Sequence, residues 1–204
     1  MLGVVVRQIT PASVRPFCLK WVENVQRPHI EGNTNRADHD WDWLTLIPTL
    51  TFAAGARRNP RMFQICTAET GFPLAMISLL ETERHPVDHS QTSVFAWYLA
   101  GAPSSAVEAQ GSPKLLMSAA LDVAITVSLN GPARGQLWLH AAPEGGQRLM
   151  DWYAKQSLVP IARNVRLPGS LVAPRRNDGR YFQLDPGDAL RVSSRMDKYR
   201  NRTE

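Results

Sequence analysis

Residues 136–158, QLWLHAAPEGGQRLMDWYAKQSL, carry the most informative pattern in this sequence. The first part, 136–140, is rich in large apolar residues and favours a β-strand. From Pro143 to about Gln156, apolar residues recur at intervals of three and four, which predicts a helix with one buried side. A short strand over 158–162 completes a strand–helix–strand unit, in which the helix crosses one face of a sheet. The residues on the shared side of this helix are Leu149, Trp152 and Tyr153.

The N-terminal part predicts two helices after a first strand. Residues 3–9 contain three consecutive valines, whose branched side chains favour a strand. A helix follows from Pro11 to about Gln26, and we expect Pro28 to end it because proline interrupts helical hydrogen bonding. A second helix covers Asp42 to about Ala56, bent or split by Pro48.

The central part predicts three strands, a loop and a long helix. In the third strand side chains alternate between two faces, so we expect Phe95 and Trp97 on one face and Val94 and Tyr98 on the other. The whole order indicates an α/β fold: a mixed, mostly antiparallel central sheet with helices on both faces. The predicted ranges are 61–68, 72–80 and 92–99 for the strands, 101–112 for the loop, 113–129 for the helix and 181–184 for a last strand.

Composition and charge indicate one domain with a basic end. A chain of 204 residues, 44% of them apolar, is long enough to bury its own core. Residues 161–204 hold ten Lys and Arg against five Asp and Glu and thus the whole net charge of +5. We therefore expect a single domain over 1–190 and a basic, solvated and partly disordered tail over 191–204.

Other features exclude whole classes of protein. Cys18 and Cys66 have no paired spacing, which argues against a disulfide framework or a cysteine zinc site, and the scattered histidines predict no metal site. The sequence lacks an apolar run long enough for a membrane span. Its first charge, at Arg7, follows an apolar run, the reverse of a secretory signal, so we expect a cytoplasmic protein.

The end of the helix in 136–158 has a spacing found in one large family. Tyr153, Lys155, Ser157 and Leu158 stand at the four places of a Tyr-x-Lys-x-Gly-Phe motif. Together with the order of elements, this resembles the GNAT superfamily of N-acetyltransferases. Ser157 and Leu158 depart from the usual Gly-Phe, and Gly146 stands where an asparagine is common. The resemblance implies a GNAT-like fold, acetyl-CoA or another acyl-CoA as cofactor, and an amine on a small molecule or protein as acceptor.

The resemblance also implies site residues. Tyr153 would be the general acid, and His140, at the end of the fifth strand, is the candidate general base. Leu99 and Gly101, at the end of the fourth strand, would contact the cofactor. The cofactor's pyrophosphate would bind a loop before the long helix, at Gln110, Gly111, Ser112 and Lys114. Two registers of that loop stay open: Gln110 and Ser112 take the family's glycine places, or Gly111 and Pro113 do.

Each candidate has an alternative role. Tyr153 also fits a core tyrosine whose hydroxyl finds a backbone partner, and His140 a buried, hydrogen-bonded histidine. Glu81 and Glu83 precede the fourth strand and are expected to be solvated. Trp41 and Trp43 either shape an acceptor pocket or anchor a helix, and we favour anchoring.

Three functions therefore follow from the sequence. The first is an N-acyltransferase that transfers an acetyl group from acetyl-CoA to an amine. The second is a catalytically inactive GNAT-like binding protein. The third is a nucleic-acid-binding module, for which the basic tail would contact RNA. A homodimer is open in each case.

Overall fold

The computed structural model describes residues 3–33, 36–53, 57–110, 116–169 and 175–200. The described strands are β1 (Val4–Ile9), β2 (Pro60–Thr67), β3 (Pro73–Arg84), β4 (Thr92–Gly101), β5 (Leu137–His140), β6 (Val159–Pro160) and β7 (Tyr181–Leu184). They form one seven-stranded sheet in the order β1-β2-β3-β4-β5-β7-β6. The pair β4–β5 is parallel and every other pair is antiparallel.

Helices cover both faces of this sheet. The described α-helices are α1 (Val14–Trp21), α2 (Leu46–Ala53), α3 (Ser104–Ala109), α4 (Leu116–Asn130), α5 (Gly146–Lys155) and α6 (Pro186–Arg200). On one face, a core that includes Ala124, Tyr153 and Val192 joins α4, α5 and α6 to the strands. On the other face, Trp21 and Ile47 pack α1 and α2 against β2 and β3. This arrangement confirms the predicted mixed, mostly antiparallel sheet.

Pro28 does not end the first helix. Beyond α1 the chain continues as a π-helix from Val22 to Ile30, with Pro28 inside it. At its end the amide of Glu31 donates to the carbonyl of Gln26, five residues earlier, at 2.7 Å. A proline ring in an α-helix collides with the carbonyl four residues earlier. The wider π-turn relieves this contact, so the helix continues past the proline to Ile30.

The second helix begins later than predicted. Asp42 lies before it, and its carboxylate accepts hydrogen bonds from the amides of Leu44 at 2.9 Å and Thr45 at 2.8 Å. The Thr45 hydroxyl also donates to Asp42, and these bonds lower the pKa of the carboxyl. Pro48 consequently falls in the first turn of α2, where its missing N–H removes no helical bond.

Two helices replace predicted irregular segments. The expected loop over 101–112 contains α3. The expected tail boundary at residue 190 falls inside α6, where Ala189 and Val192 are buried in the core. The start of the segment expected to be solvated and partly disordered is thus helical, with Val192 buried. Arg191, the first basic residue of this segment, pairs with Asp188.

No helix among the described residues is both long and apolar enough to span a membrane.

Candidate active site

The parallel strands β4 and β5 separate part-way along their length. They pair at Val94–Leu137, Phe95–Trp138 and Ala96–Leu139. Beyond Ala96, β4 continues to Gly101 while pairing with β3 alone among the described strands. A cleft of about 720 Å³ opens where the two strands diverge, and it extends to both faces of the sheet.

The open edge of β4 presents backbone groups to this cleft. The amide of Ala102 donates to Leu74 of β3 at 2.8 Å. In an antiparallel ladder hydrogen-bonded and non-hydrogen-bonded residues alternate, so Leu99 and Gly101 direct their N–H and C=O groups away from β3. Arg36 supports this orientation, because its Nη2 reaches the Gly101 carbonyl from the other side at 2.8 Å. The Leu99 N–H therefore faces the gap left by β5.

A β-bulge changes which side chains line the cleft. The register passes from Ser78–Tyr98 to Leu79–Ala96, which leaves Trp97 as an extra residue on β4. An extra residue breaks the alternation of faces. The rings of Trp97 and Tyr98 are consequently on one face and stacked, with centroids 5.7 Å apart and planes 18° apart. The prediction that Tyr98 shares a face with Val94 is wrong for this reason, since Val94 lies in the opposite core.

Tyr153 lines the cleft from the α5 side. The residue is 4% exposed, and its ring packs 5.6 Å from that of Phe182. No hydrogen bond joins its hydroxyl to any residue in the described ranges, so the alternative of a backbone partner is not realised there. Burial raises the pKa of the phenol far above its ordinary value, which keeps the hydroxyl protonated at neutral pH.

His140 lines the cleft from the other face. Its Nε2 lies 3.0 Å from Oδ2 of Asp178, and its ring lies over Tyr181 at 4.4 Å. The side chain is 29% exposed, so it is hydrogen-bonded but not buried. Partial burial would raise the pKa of the Asp178 carboxyl, but the hydrogen bonds from His140 and from the Arg180 amide bring it below its ordinary value.

Asp178 is the functional candidate that the sequence analysis missed. It lies in an irregular segment before β7, far along the chain from His140. Only the antiparallel pairing of His140 with Tyr181 places the two side chains together. A local motif therefore gives no indication of this pair.

Two carboxylates expected to be solvated are buried instead. Glu83 is 3% exposed and pairs with Arg58 and with Arg175, the latter at 3.3 Å. Glu81 is also buried, and it accepts hydrogen bonds from Asn59 and Arg61. The physical reason is that β3 extends to Arg84, beyond its predicted end, so both residues lie within the sheet.

Arg175 closes the base of the cleft. Its guanidinium lies over the rings of Phe95 at 4.3 Å and Trp138 at 4.9 Å. Such a cation–π contact, combined with the Glu83 ion pair, holds the arginine in place. Burial lowers its pKa although Glu83 opposes the shift, and arginine remains charged.

The two tryptophans of the 41–43 segment have different roles. Trp43 is 1% exposed and packs edge-on against Trp21 at 6.2 Å, which confirms the anchoring expected for it. Trp41 instead lines the cleft, where it contacts the edge of Tyr98 at 5.1 Å. The anchoring prediction therefore holds for one of the pair.

The structure brings together some of the predicted cofactor contacts. Leu99 and Gly101 line the cleft with Tyr153 and His140. Gln110 follows α3 and is not among the described residues of the lining. Gly111, Ser112 and Lys114 lie outside the described residues. Within the described ranges no three His, Cys, Asp or Glu side chains are placed to hold a metal ion.

Solved structures with the same arrangement of strands and helices are known. A GNAT-family acetyltransferase from Staphylococcus aureus superposes with a TM-score of 0.53 at 9% identity, over 90% of this chain and 99% of that chain. A variant of the spermidine N-acetyltransferase SpeG from Vibrio cholerae gives 0.52 at 16% identity, over 93% and 98%. This chain has the GNAT fold. FdhC, described as a nucleotide-linked sugar GNAT, gives 0.53 at 13% identity, over 97% of this chain and 93% of that chain.

Sequence comparison adds nothing to this structural likeness. No protein-family model and no curated protein matches the chain. At these identities the likeness concerns the GNAT fold alone.

Proposed function

We propose that this GNAT-fold chain is an N-acyltransferase that moves an acetyl group, or another acyl group, from acyl-CoA to an amine. The observation that carries the proposal is the open edge of β4 beside an unpartnered phenol. The Leu99 N–H faces the cleft, and Tyr153 lines the same cleft with no hydrogen-bond partner among the described residues.

The residues of the cleft fit the chemical nature of coenzyme A. Its arm is an extended chain with amide groups, which pairs well with a strand edge that offers alternating donors and acceptors. Leu99 and Gly101 would provide those groups, and Leu139 and Leu149 would cover the apolar parts of the arm. Its phosphates would bind before α4, where the predicted contacts Gln110, Gly111, Ser112 and Lys114 precede a helix start.

Two groups would act on the thioester of the acyl donor, the Leu99 N–H and the Tyr153 hydroxyl. Acyl-CoA supplies an activated thioester when it is bound. The Leu99 N–H would donate to the carbonyl oxygen and stabilise the negative charge that develops there. Tyr153 holds its phenolic proton at neutral pH, as an unperturbed phenol also does. Its Oη can therefore protonate the departing sulfur.

His140 would act as the general base for the acceptor amine. Asp178 accepts a hydrogen bond from Nε2, which favours the neutral tautomer with its proton on that nitrogen. The Nδ1 atom is then the free acceptor and can take a proton from the attacking amine. Because His140 approaches from the face opposite Tyr153, proton uptake and proton donation occur on different sides of the β4–β5 gap.

Calorimetric titration with acetyl-CoA tests the proposal directly. The Leu99→Pro variant removes the N–H that faces the gap without removing a bond to β3, and Leu99→Ala keeps that N–H as the matched control. We expect Leu99→Pro to bind acetyl-CoA roughly tenfold more weakly, or worse, than Leu99→Ala. Circular dichroism and thermal unfolding establish that both variants are folded.

Release of coenzyme A in the presence of amines, followed with a thiol reagent, tests turnover. No binding of the wild-type chain at millimolar acetyl-CoA would overturn the proposal and leave the GNAT-like binding protein as the better account. Where Leu99→Pro does not fold, the Tyr153→Phe variant provides the second test of the same cleft.

A further inference from the structure

The half of the cleft opposite α5 has an aromatic wall. The bulge at Trp97 places its indole and the Tyr98 ring on one face, stacked against each other. Trp41 stands edge-on against Tyr98, and all three side chains are partly exposed in the cleft. A polar acceptor alone does not require such a surface, whereas a planar ring gains stacking energy from it.

The cleft offers few free acidic groups to a polycation. Arg36 binds both carboxylate oxygens of Asp38 at 2.8 Å, and the Asp38 side chain is only 8% exposed. Glu144 lies exposed in the short turn before α5. Among the described lining residues there is no further carboxylate. A polyamine, which needs several free carboxylates, therefore finds few partners here.

One lining cation, by contrast, is free to bind an anion. Arg175 is committed to Glu83 and to the rings beneath it. Arg176 is exposed at the cleft, and within the described ranges it makes no ion pair or hydrogen bond. A guanidinium binds carboxylate or phosphate with two parallel hydrogen bonds.

We propose that the acceptor is a primary amine that carries both a planar aromatic ring and an acidic group. The ring would stack on Trp97 and Tyr98, the acidic group would pair with Arg176, and the amine would face His140. This proposal rests on the proposed acyl transfer for its chemistry, but its binding part stands by itself. The acidic group is a carboxylate or a phosphate, and the probes below distinguish the two.

Two matched pairs of amines test the proposal. L-tryptophan and tryptamine differ by a carboxylate, and pyridoxamine 5′-phosphate and pyridoxamine differ by a phosphate. Spermidine serves as the polycation. Binding is measured by titration without acyl-CoA, and acyl transfer is measured separately with acetyl-CoA. The variants are Arg176→Gln and, as a matched control, Arg15→Gln on the exposed side of α1.

We expect the acidic member of at least one pair to bind roughly tenfold or more tightly than its neutral partner. The pair with the larger difference identifies the carboxylate or the phosphate. Arg176→Gln should remove most of this preference and leave tryptamine binding unchanged, and Arg15→Gln should change neither.

Three results would overturn the inference: equal binding within both pairs, a preference that survives Arg176→Gln, or spermidine bound more tightly than the aromatic acids. Binding of the acidic amines without any acyl transfer would contradict the proposed function instead and would leave the binding site standing.

Discussion

Tyr153 and His140 line one cleft from opposite faces of the central sheet. Tyr153 belongs to the core beneath α4 and α5, with Leu139 beside it. His140 follows Leu139 on β5, so its side chain points to the other face, where it lies over Tyr181. The cleft that both side chains line opens where β4 and β5 diverge beyond the pair Ala96–Leu139. This placement suits an acyl transfer in which the amine attacks from the His140 side and the coenzyme A sulfur departs on the Tyr153 side.

Replacing Tyr153 with phenylalanine should lower kcat by at least about tenfold. Stability should change by no more than about 0.5 kcal/mol, because the lost hydroxyl has no hydrogen-bond partner in the described residues. Steady-state kinetics and thermal unfolding measure the two effects, and titration with acetyl-CoA should show unchanged binding. Unaltered turnover would remove Tyr153 from the mechanism.

The Asp178→Asn variant should lower kcat/KM by roughly tenfold, because the amide no longer fixes the tautomer and orientation of His140. His140→Gln should lower it at least as far. In a double variant the two losses should not add, since both remove the same unit. Additive losses would show that Asp178 acts independently of His140.

The same carboxylate makes a pH-dependent contribution to stability. The Asp178 pKa is lower in the folded chain than in the unfolded chain. Its contribution is therefore fully present above the ordinary aspartate pKa of about 3.9 and is lost as the pH falls through the lower folded value. Thermal unfolding of wild type and Asp178→Asn from neutral to acid pH should show a difference in Tm that shrinks in this window. A constant difference would contradict the assignment.

Glu83→Ala should destabilise the fold by about 3–5 kcal/mol, because it leaves the Arg175 cation buried without its partner. Denaturant titration measures the free energy of unfolding. Glu144→Ala is the control, since this exposed carboxylate should contribute no more than about 0.5 kcal/mol. Similar values for both variants would mean that Arg58 and Arg175 find other partners.

Cys18 should resist alkylation in the native chain. Burial, with a smaller effect of Asp42, raises its thiol pKa to about 12, so the reactive thiolate is scarce at pH 8. Burial also raises the pKa of Cys66. Iodoacetamide labelling followed by mass spectrometry should be slow in buffer and fast for both residues in guanidinium. Rapid native labelling of Cys18 would show that α1 opens readily.

The regular elements could be predicted because their causes are local. The valines of β1 favour a strand and the apolar spacing of α5 favours a helix, and both preferences depend only on residues close in the chain. Both elements occur where the sequence indicates them. The same reasoning from local sequence wrongly ended the first helix at Pro28, because a π-turn accommodates the proline ring. It also missed α6, whose Ala189 and Val192 show their apolar character only against the core.

The sequence by itself determined the order of the seven strands and the mixed sheet, although it indicated neither α3 nor α6. The family resemblance supplied the candidates Tyr153 and His140. Only the tertiary structure decided what surrounds them: the partner Asp178, the open edge at Leu99, and the bulge that brings Trp97 and Tyr98 onto one face. The physical reason is that secondary structure follows from contacts near in the chain. Strand register, a bulge and the burial of Glu83 depend on residues that meet only when distant strands pair.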